Sequence, residues 1–96
     1  MSIRRQKNRE QVQKAGAFLK TSRKAANLTQ REMAKELDID YFTFISQTEN
    51  GFARVPPARL SEWATVLKIP VYDLAANLLR YYQPEYYRAL FNSKKT

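Results

Sequence analysis

Few residues of this 96-residue chain could carry out bond chemistry. Cys and His are both absent, which removes zinc sites, disulfides, haem ligation and the Ser–His or Cys nucleophile arrangements. The one close group of acids, Glu36, Asp38 and Asp40, has no nucleophile, metal motif or alternative base beside it. It suits helix-turn and capping roles better than an acid–base pair. An enzyme is therefore not expected, nor a metal or a cofactor. What remains is recognition by hydrogen bonds and charge. Residues 41–50 read Tyr-Phe-Thr-Phe-Ile-Ser-Gln-Thr-Glu-Asn, rich in hydroxyls and amides and free of Lys and Arg.

Cations lie elsewhere. Seventeen Lys and Arg against nine Asp and Glu leave a formal charge of +8 at pH 7. Residues 1–24 hold eight bases and one acid, for +7; residues 25–51 sum to −3 and residues 52–96 to +4. The basic first quarter is either a solvated helix face or an arm that contacts a polyanion. No apolar run approaches the ~18 residues of a membrane span, and the amino terminus lacks the apolar core of a signal peptide. The expectation is a soluble cytoplasmic protein with no membrane partner.

The elements that position these residues are helical. Residues 1–7 lack apolar periodicity and read as a flexible basic arm containing Arg4, Arg5 and Lys7. From residue 8, Val12, Ala15, Leu19 and Ala26 mark an amphipathic helix that stops at Asn27, a residue tolerant of left-handed backbone. Thr29-Gln30-Arg31-Glu32 is a capping box. It opens a short helix over residues 30–37, with Met33, Ala34 and Leu37 inward. Asp38 reads as a left-handed turn residue and Asp40 as the N-cap of a third helix ending near Asn50-Gly51. Leu60, Trp63, Ala64 and Leu67 predict a fourth helix, and Val71, Leu74, Ala75, Leu78 and Leu79 a fifth, reaching residue 82. Pro84 starts a short sixth. No alternating run supports a sheet, so the fold is all-α. The expected organisation is an arm over 1–7, a helical domain over 8–82 and a short helix with a polar tail over 83–96.

Two short helices around a tight turn outline a helix-turn-helix. Leu28-Thr29-Gln30, Glu32, Ala34 and Leu37, followed by Ile45-Ser46-Gln47-Thr48-Glu49-Asn50-Gly51, resemble the Cro/cI-type (lambda-repressor-like, XRE family) helix-turn-helix. The resemblance runs through Leu19 and Arg23 upstream and Pro57, Leu60, Ala64 and Leu67 downstream, covering roughly residues 12–80. The chain departs from the family pattern in several places. Asp38 and Asn27 replace the usual glycines, one extra residue lies within 38–44, and Thr48 stands at a normally apolar position. A buried Thr bonded to a carbonyl one turn back accounts for the last.

The resemblance implies a five-helix DNA-binding domain followed by a short aromatic helix. It also implies a transcriptional regulator, repressor or activator, that reads double-stranded DNA as a homodimer on an inverted repeat. Carried over residue by residue, base contacts fall on Phe42 or Thr43, then Ser46, Gln47 and Asn50. Gln47 can read adenine bidentately, and without an Arg to read guanine the half-sites are expected to be A·T-rich. Ile45 and one of Phe42 or Phe44 face the core. Phosphate contacts fall on Gln30 and the Gly51 backbone; Tyr41 and Arg54 are added by position, with Arg4, Arg5 and Lys7 from the arm. Arg23 and Glu49 match a structural ion pair.

Tyr81, Tyr82, Tyr86, Tyr87 and Phe91 put five of twelve aromatics into eleven residues. They either fold back onto the fourth and fifth helices or form a dimer interface. A competing reading makes this helix the partner-binding end of an antitoxin-type interaction module. For the DNA-binding reading, deleting residues 1–7 should weaken specific and random duplex nearly equally. It should also lower the slope of log affinity against log salt by ~2–3 units; fluorescence anisotropy across a salt series measures both.

Overall fold

The structure, a computed structural model, describes the backbone of residues 3–92 and the side chains of residues 8–92. Six α-helices follow in order: α1 (Ile3–Ala25), α2 (Gln30–Glu36), α3 (Thr43–Glu49), α4 (Leu60–Leu67), α5 (Val71–Tyr82) and α6 (Pro84–Phe91), with a 3-10 turn at Pro57–Arg59 before α4. There is no strand among the described residues. None of the described helices is long and apolar enough to cross a membrane.

Helix α1 begins at Ile3, not near residue 8, so the backbone of residues 3–7 continues the helix where an arm was expected. The stretch has no Gly or Pro and is rich in Arg, Gln and Lys, straight-chain residues that lose little rotamer freedom in a helix. Periodicity finds an apolar face, and a helix end needs none. The side chains of Arg4, Arg5 and Lys7 lie outside the described residues, as does the tail beyond residue 92.

The capping box of α2 is complete. Thr29 Oγ1 accepts from the Glu32 amide at 3.1 Å, and the Thr29 amide donates to Glu32 Oε1 at 2.9 Å. Hydrogen bonding to the Thr29 amide first, and to the Thr29 hydroxyl second, holds the Glu32 carboxyl below its usual range. Helix ends are equally regular. After α1, Leu28 N bonds Arg23 O while Asn27 N bonds Lys24 O; Ile39 and Asp38 repeat this after α2, Ile69 and Lys68 after α4. Asn27, Asp38 and Lys68 all have φ of 55–60°. This paired bonding is the Schellman termination, in which an apolar residue follows the left-handed one. Here Leu28, Ile39 and Ile69 fill that role, each half-buried against the core. Asn27 and Asp38 were expected to turn left-handed; Lys68 was not.

Helix α3 starts later than the Asp40 cap proposed from sequence. Its N-cap is Phe42, with no side-chain cap bond, and Asp40 is exposed. Ile39 is held by the termination of α2, so residues 37–42 form the connection and α3 keeps only seven residues. Phe44 N to Tyr41 O (3.2 Å) and Ile45 N to Phe42 O (2.9 Å) form the first bonds of the new helix.

The core gathers Ala15 and Leu19 of α1, Met33 and Ala34 of α2, Leu37, Ile45 of α3, Val55, Trp63, Ala64 and Leu67 of α4, and Leu74 and Leu78 of α5. Val71, expected on the inner face of α5, is exposed. Helix α6 buries no residue completely. It packs on α5, where Phe91 meets Tyr72 edge-on at 6.4 Å.

Gly16 permits a close approach between two helices. A Cβ there would fall inside contact distance of the Glu49 carbonyl, so the α1 and α3 backbones touch directly. Gly16→Ala should therefore destabilise the protein by ~1–3 kcal/mol, since backbone cannot move aside as a side-chain end can. Urea unfolding followed by circular dichroism measures this.

Candidate nucleic-acid interface

Helix α3 is divided sharply between two faces. Ile45 and Thr48 are fully buried and Glu49 nearly so. Thr48 Oγ1 donates to Ile45 O at 2.8 Å, which satisfies its hydroxyl in an apolar setting as the sequence suggested. On the opposite face Thr43, Gln47 and Asn50 are exposed and Ser46 is half-exposed. This stripe at i, i+3, i+4 and i+7 is about 10 Å long at helical rise, comparable with a major groove about 12 Å wide. Asn50 Nδ2 donates to Ser46 Oγ at 3.3 Å, so two of the four groups already bond along the helix.

A buried polar network holds α3. Arg23 Nε donates to Glu49 Oε2 at 2.6 Å and Nη2 to Oε1 at 3.1 Å, while Nη1 donates to Leu28 O at 2.7 Å. Gln30 Nε2 adds a bond to Glu49 Oε1 at 3.0 Å. One carboxylate thus ties together the end of α1, the start of α2 and the end of α3. The Arg23–Glu49 pair is where the resemblance placed it. Gln30, expected on a phosphate, has its amide nitrogen committed to Glu49.

Gly51 was also expected to meet phosphate through its backbone. It is buried at φ +78°, with its amide bonded to Thr48 O at 3.4 Å and its carbonyl to the Arg9 guanidinium. The Phe52 and Ala53 amides both bond Gln47 O. The turn after α3 therefore offers no free amide: closing α3 with a Schellman turn consumes them. Arg9 caps this end, reaching Asn50 O at 3.5 Å and lying 4.0 Å above the exposed Phe52 ring. Arg59 similarly bonds Leu37 O at the end of α2 and pairs with Glu62 at 2.8 Å.

Both phenylalanines of the α3 segment pack against the core. Phe44 meets Trp63 edge-on at 6.3 Å, and Phe42 is half-buried beneath the Arg31 guanidinium at 4.3 Å. Phe42 therefore does not stand on the outward stripe, because it precedes the first helical residue. Thr43 takes that position. Tyr41 is 76% exposed beside it. Arg54 is exposed but leans on α5, its guanidinium 5.0 Å above Tyr82 and 3.4 Å from Tyr82 O.

The carboxyl-terminal aromatics separate into two groups. Tyr81 and Tyr82 pack on the core, and the Tyr82 hydroxyl accepts from Val55 N at 3.3 Å. Burial pushes the Tyr82 phenol above its ordinary value, against the opposing pull of the Val55 bond and the Arg54 charge. Tyr86 is exposed, and Tyr87 meets the exposed Phe91 with rings tilted by 39° and centroids 4.8 Å apart. Tyr72 and Leu90, not singled out from sequence, are also exposed.

Arg9, Gly16 and Arg31 were likewise missed. A lone Gly inside a helical pattern is a signal of close packing; nothing in the sequence distinguishes Arg9 or Arg31 from other surface bases. No family model and no curated protein matches the chain.

Because Glu49 is buried, removing its partner leaves an uncompensated charge. Arg23→Met should cost ~3–5 kcal/mol by chemical denaturation, and Arg23→Met with Glu49→Leu together much less than the sum of the two single changes.

Proposed function

We propose that this chain is a sequence-specific double-stranded DNA-binding protein, of Cro/cI-type helix-turn-helix architecture, that regulates transcription from the cytoplasm. Helix α3 enters the major groove, and the chain acts by binding, without catalysis or cofactor. The observation that carries this reading is the outward stripe of α3. Thr43, Ser46, Gln47 and Asn50 are uncharged hydrogen-bonding side chains, exposed on a short helix whose other face is locked by Arg23, Gln30 and Glu49.

The stripe suits base edges. Gln47 can pair bidentately with adenine, while Thr43 and Ser46 serve several bases. Arg31 and Lys35 are exposed on α2, and the sequence adds Arg4, Arg5 and Lys7 near the amino terminus. These supply the salt-dependent, sequence-independent affinity, and Tyr41 adds a hydroxyl at the near end. Arg54 remains the loop cation for the backbone.

The exposed Tyr72, Tyr86, Leu90 and Phe91 on α5 and α6 form the apolar face of a homodimer, with Tyr81 and Tyr82 behind it as core. Two-fold symmetry then places two α3 helices about one DNA turn apart on an inverted repeat. An antitoxin-type partner would use the same face, and would appear as an unlike chain in the purified complex.

Selection from random duplex DNA tests the reading. The expected product is an inverted repeat with A·T-rich half-sites; single half-sites would argue for a monomer, and no enrichment would overturn the proposal. Gln47→Ala should lose ~1–3 kcal/mol of preference per half-site while leaving affinity for random duplex unchanged.

A further inference from the structure

A cleft of about 480 Å³ opens between α1, α5 and α6. Three cations line it, one from each helix: Lys14, Arg80 and Arg88, together with Gln11, Tyr87 and Asn92. No acid is among the lining residues. Among the described residues neither Lys14 nor Arg80 has an ion-pair partner. Arg88 pairs only with Glu85 on its own helix, at 3.3 Å, with both side chains exposed. Such a pair is weak and easily exchanged.

The cleft is separate from the α3 surface. Arg9, Gln13 and Gly16 turn one side of α1 toward α3 and the loop after it. At about 100° per residue, Gln11 stands roughly half a turn away from Arg9 and Gln13, and Lys14 about as far from Gly16. Three like charges gathered in one concavity raise one another's energy, and among the described residues only Arg88 has an acid, the exposed Glu85, within ion-pair distance. A concave wall lined by one sign of charge also focuses their field on any anion that enters.

We propose that this cleft binds a small phosphorylated anion, a phosphomonoester no larger than a nucleotide. Arg80 and Arg88 offer planar forks to phosphate oxygens and Lys14 a point charge. The amides of Gln11 and Asn92 and the Tyr87 phenol supply neutral hydrogen bonds to the rest of the molecule. The volume lies within the ~300–1,000 Å³ range of small-molecule sites. Since α6 otherwise packs mainly on α5, the bound anion ties the carboxyl-terminal helix to α1. The inference does not rest on the DNA-binding reading.

Calorimetric titration of the full chain with inorganic phosphate, and separately with a nucleoside monophosphate, tests it at ionic strength matched with sodium chloride. Saturable binding is expected for both. Arg80→Gln and Lys14→Gln, on different helices, should each weaken it roughly tenfold, the loss of one charge-assisted bond. Lys68→Gln, an equal charge loss at the exposed residue that follows α4, should leave it unchanged, and circular dichroism should show native helix content in all three. Absence of saturable binding, or equal weakening by Lys68→Gln, would overturn the site. So would weaker duplex DNA binding by Arg80→Gln with no small anion bound, since the cations would then belong to a DNA backbone contact.

Discussion

One buried carboxylate organises the amino-terminal half of this protein. Glu49 accepts three hydrogen bonds, two from Arg23 and one from Gln30, and Arg23 also reaches the Leu28 carbonyl. Taking both charges out of water is costly, and their attraction offsets this only when nearly every donor is used. The network meets that condition. Its return is geometric: α1, α2 and α3 have one relative arrangement in which all of these bonds form, and the Gly16–Glu49 backbone contact exists only there. The outward stripe of α3 is thereby aimed by residues on its hidden face.

The helices so positioned could not persist alone. Helices α2 and α3 have seven residues each, well under the ~12–15 at which an isolated helix becomes marginal. Their ends carry much of the compensation. Four helices close with the same paired bonding, through Asn27, Asp38, Gly51 and Lys68. Arginines from distant segments then bond the last carbonyls: Arg59 for α2, Arg9 for α3. A cation at a helix carboxyl end also suits the helix dipole. Arg9 does more than cap. Its guanidinium also lies over one face of Phe52, which stays exposed where Leu28, Ile39 and Ile69 pack on the core.

Net charge is consequently a poor guide to available charge. Of the bases in the described residues, Arg23 is consumed by Glu49, Arg59 by Glu62 and Leu37, and Arg9 by the end of α3. Arg31 and Arg54 lie over Phe42 and Tyr82 with one face still open to solvent. What is left includes Lys35 on α2, the cleft cations Lys14, Arg80 and Arg88 from α1, α5 and α6, and Lys20, Lys24 and Lys68, exposed elsewhere. The net +8 thus combines charges consumed inside the fold with charges left on its surface.

Local chemistry was legible in the sequence. The capping box of Thr29 and Glu32, the left-handed Asn27 and Asp38, the helices implied by apolar spacing and the self-bonded Thr48 all depend on residues within one or two turns of each other. The sequence pattern therefore carries them directly. The resemblance also located the Arg23–Glu49 pair across 26 positions, which periodicity alone could not. Tertiary structure decided what depends on elements meeting at a distance. It sent Gln30 to Glu49, set both Phe42 and Phe44 against the core, began α3 after Phe42 and not at Asp40, and closed the Gly51 turn against Arg9. It also brought Lys14, Arg80 and Arg88 together. A residue's type limits which bonds it can make, but which partner comes within 3 Å is set by how the helices pack.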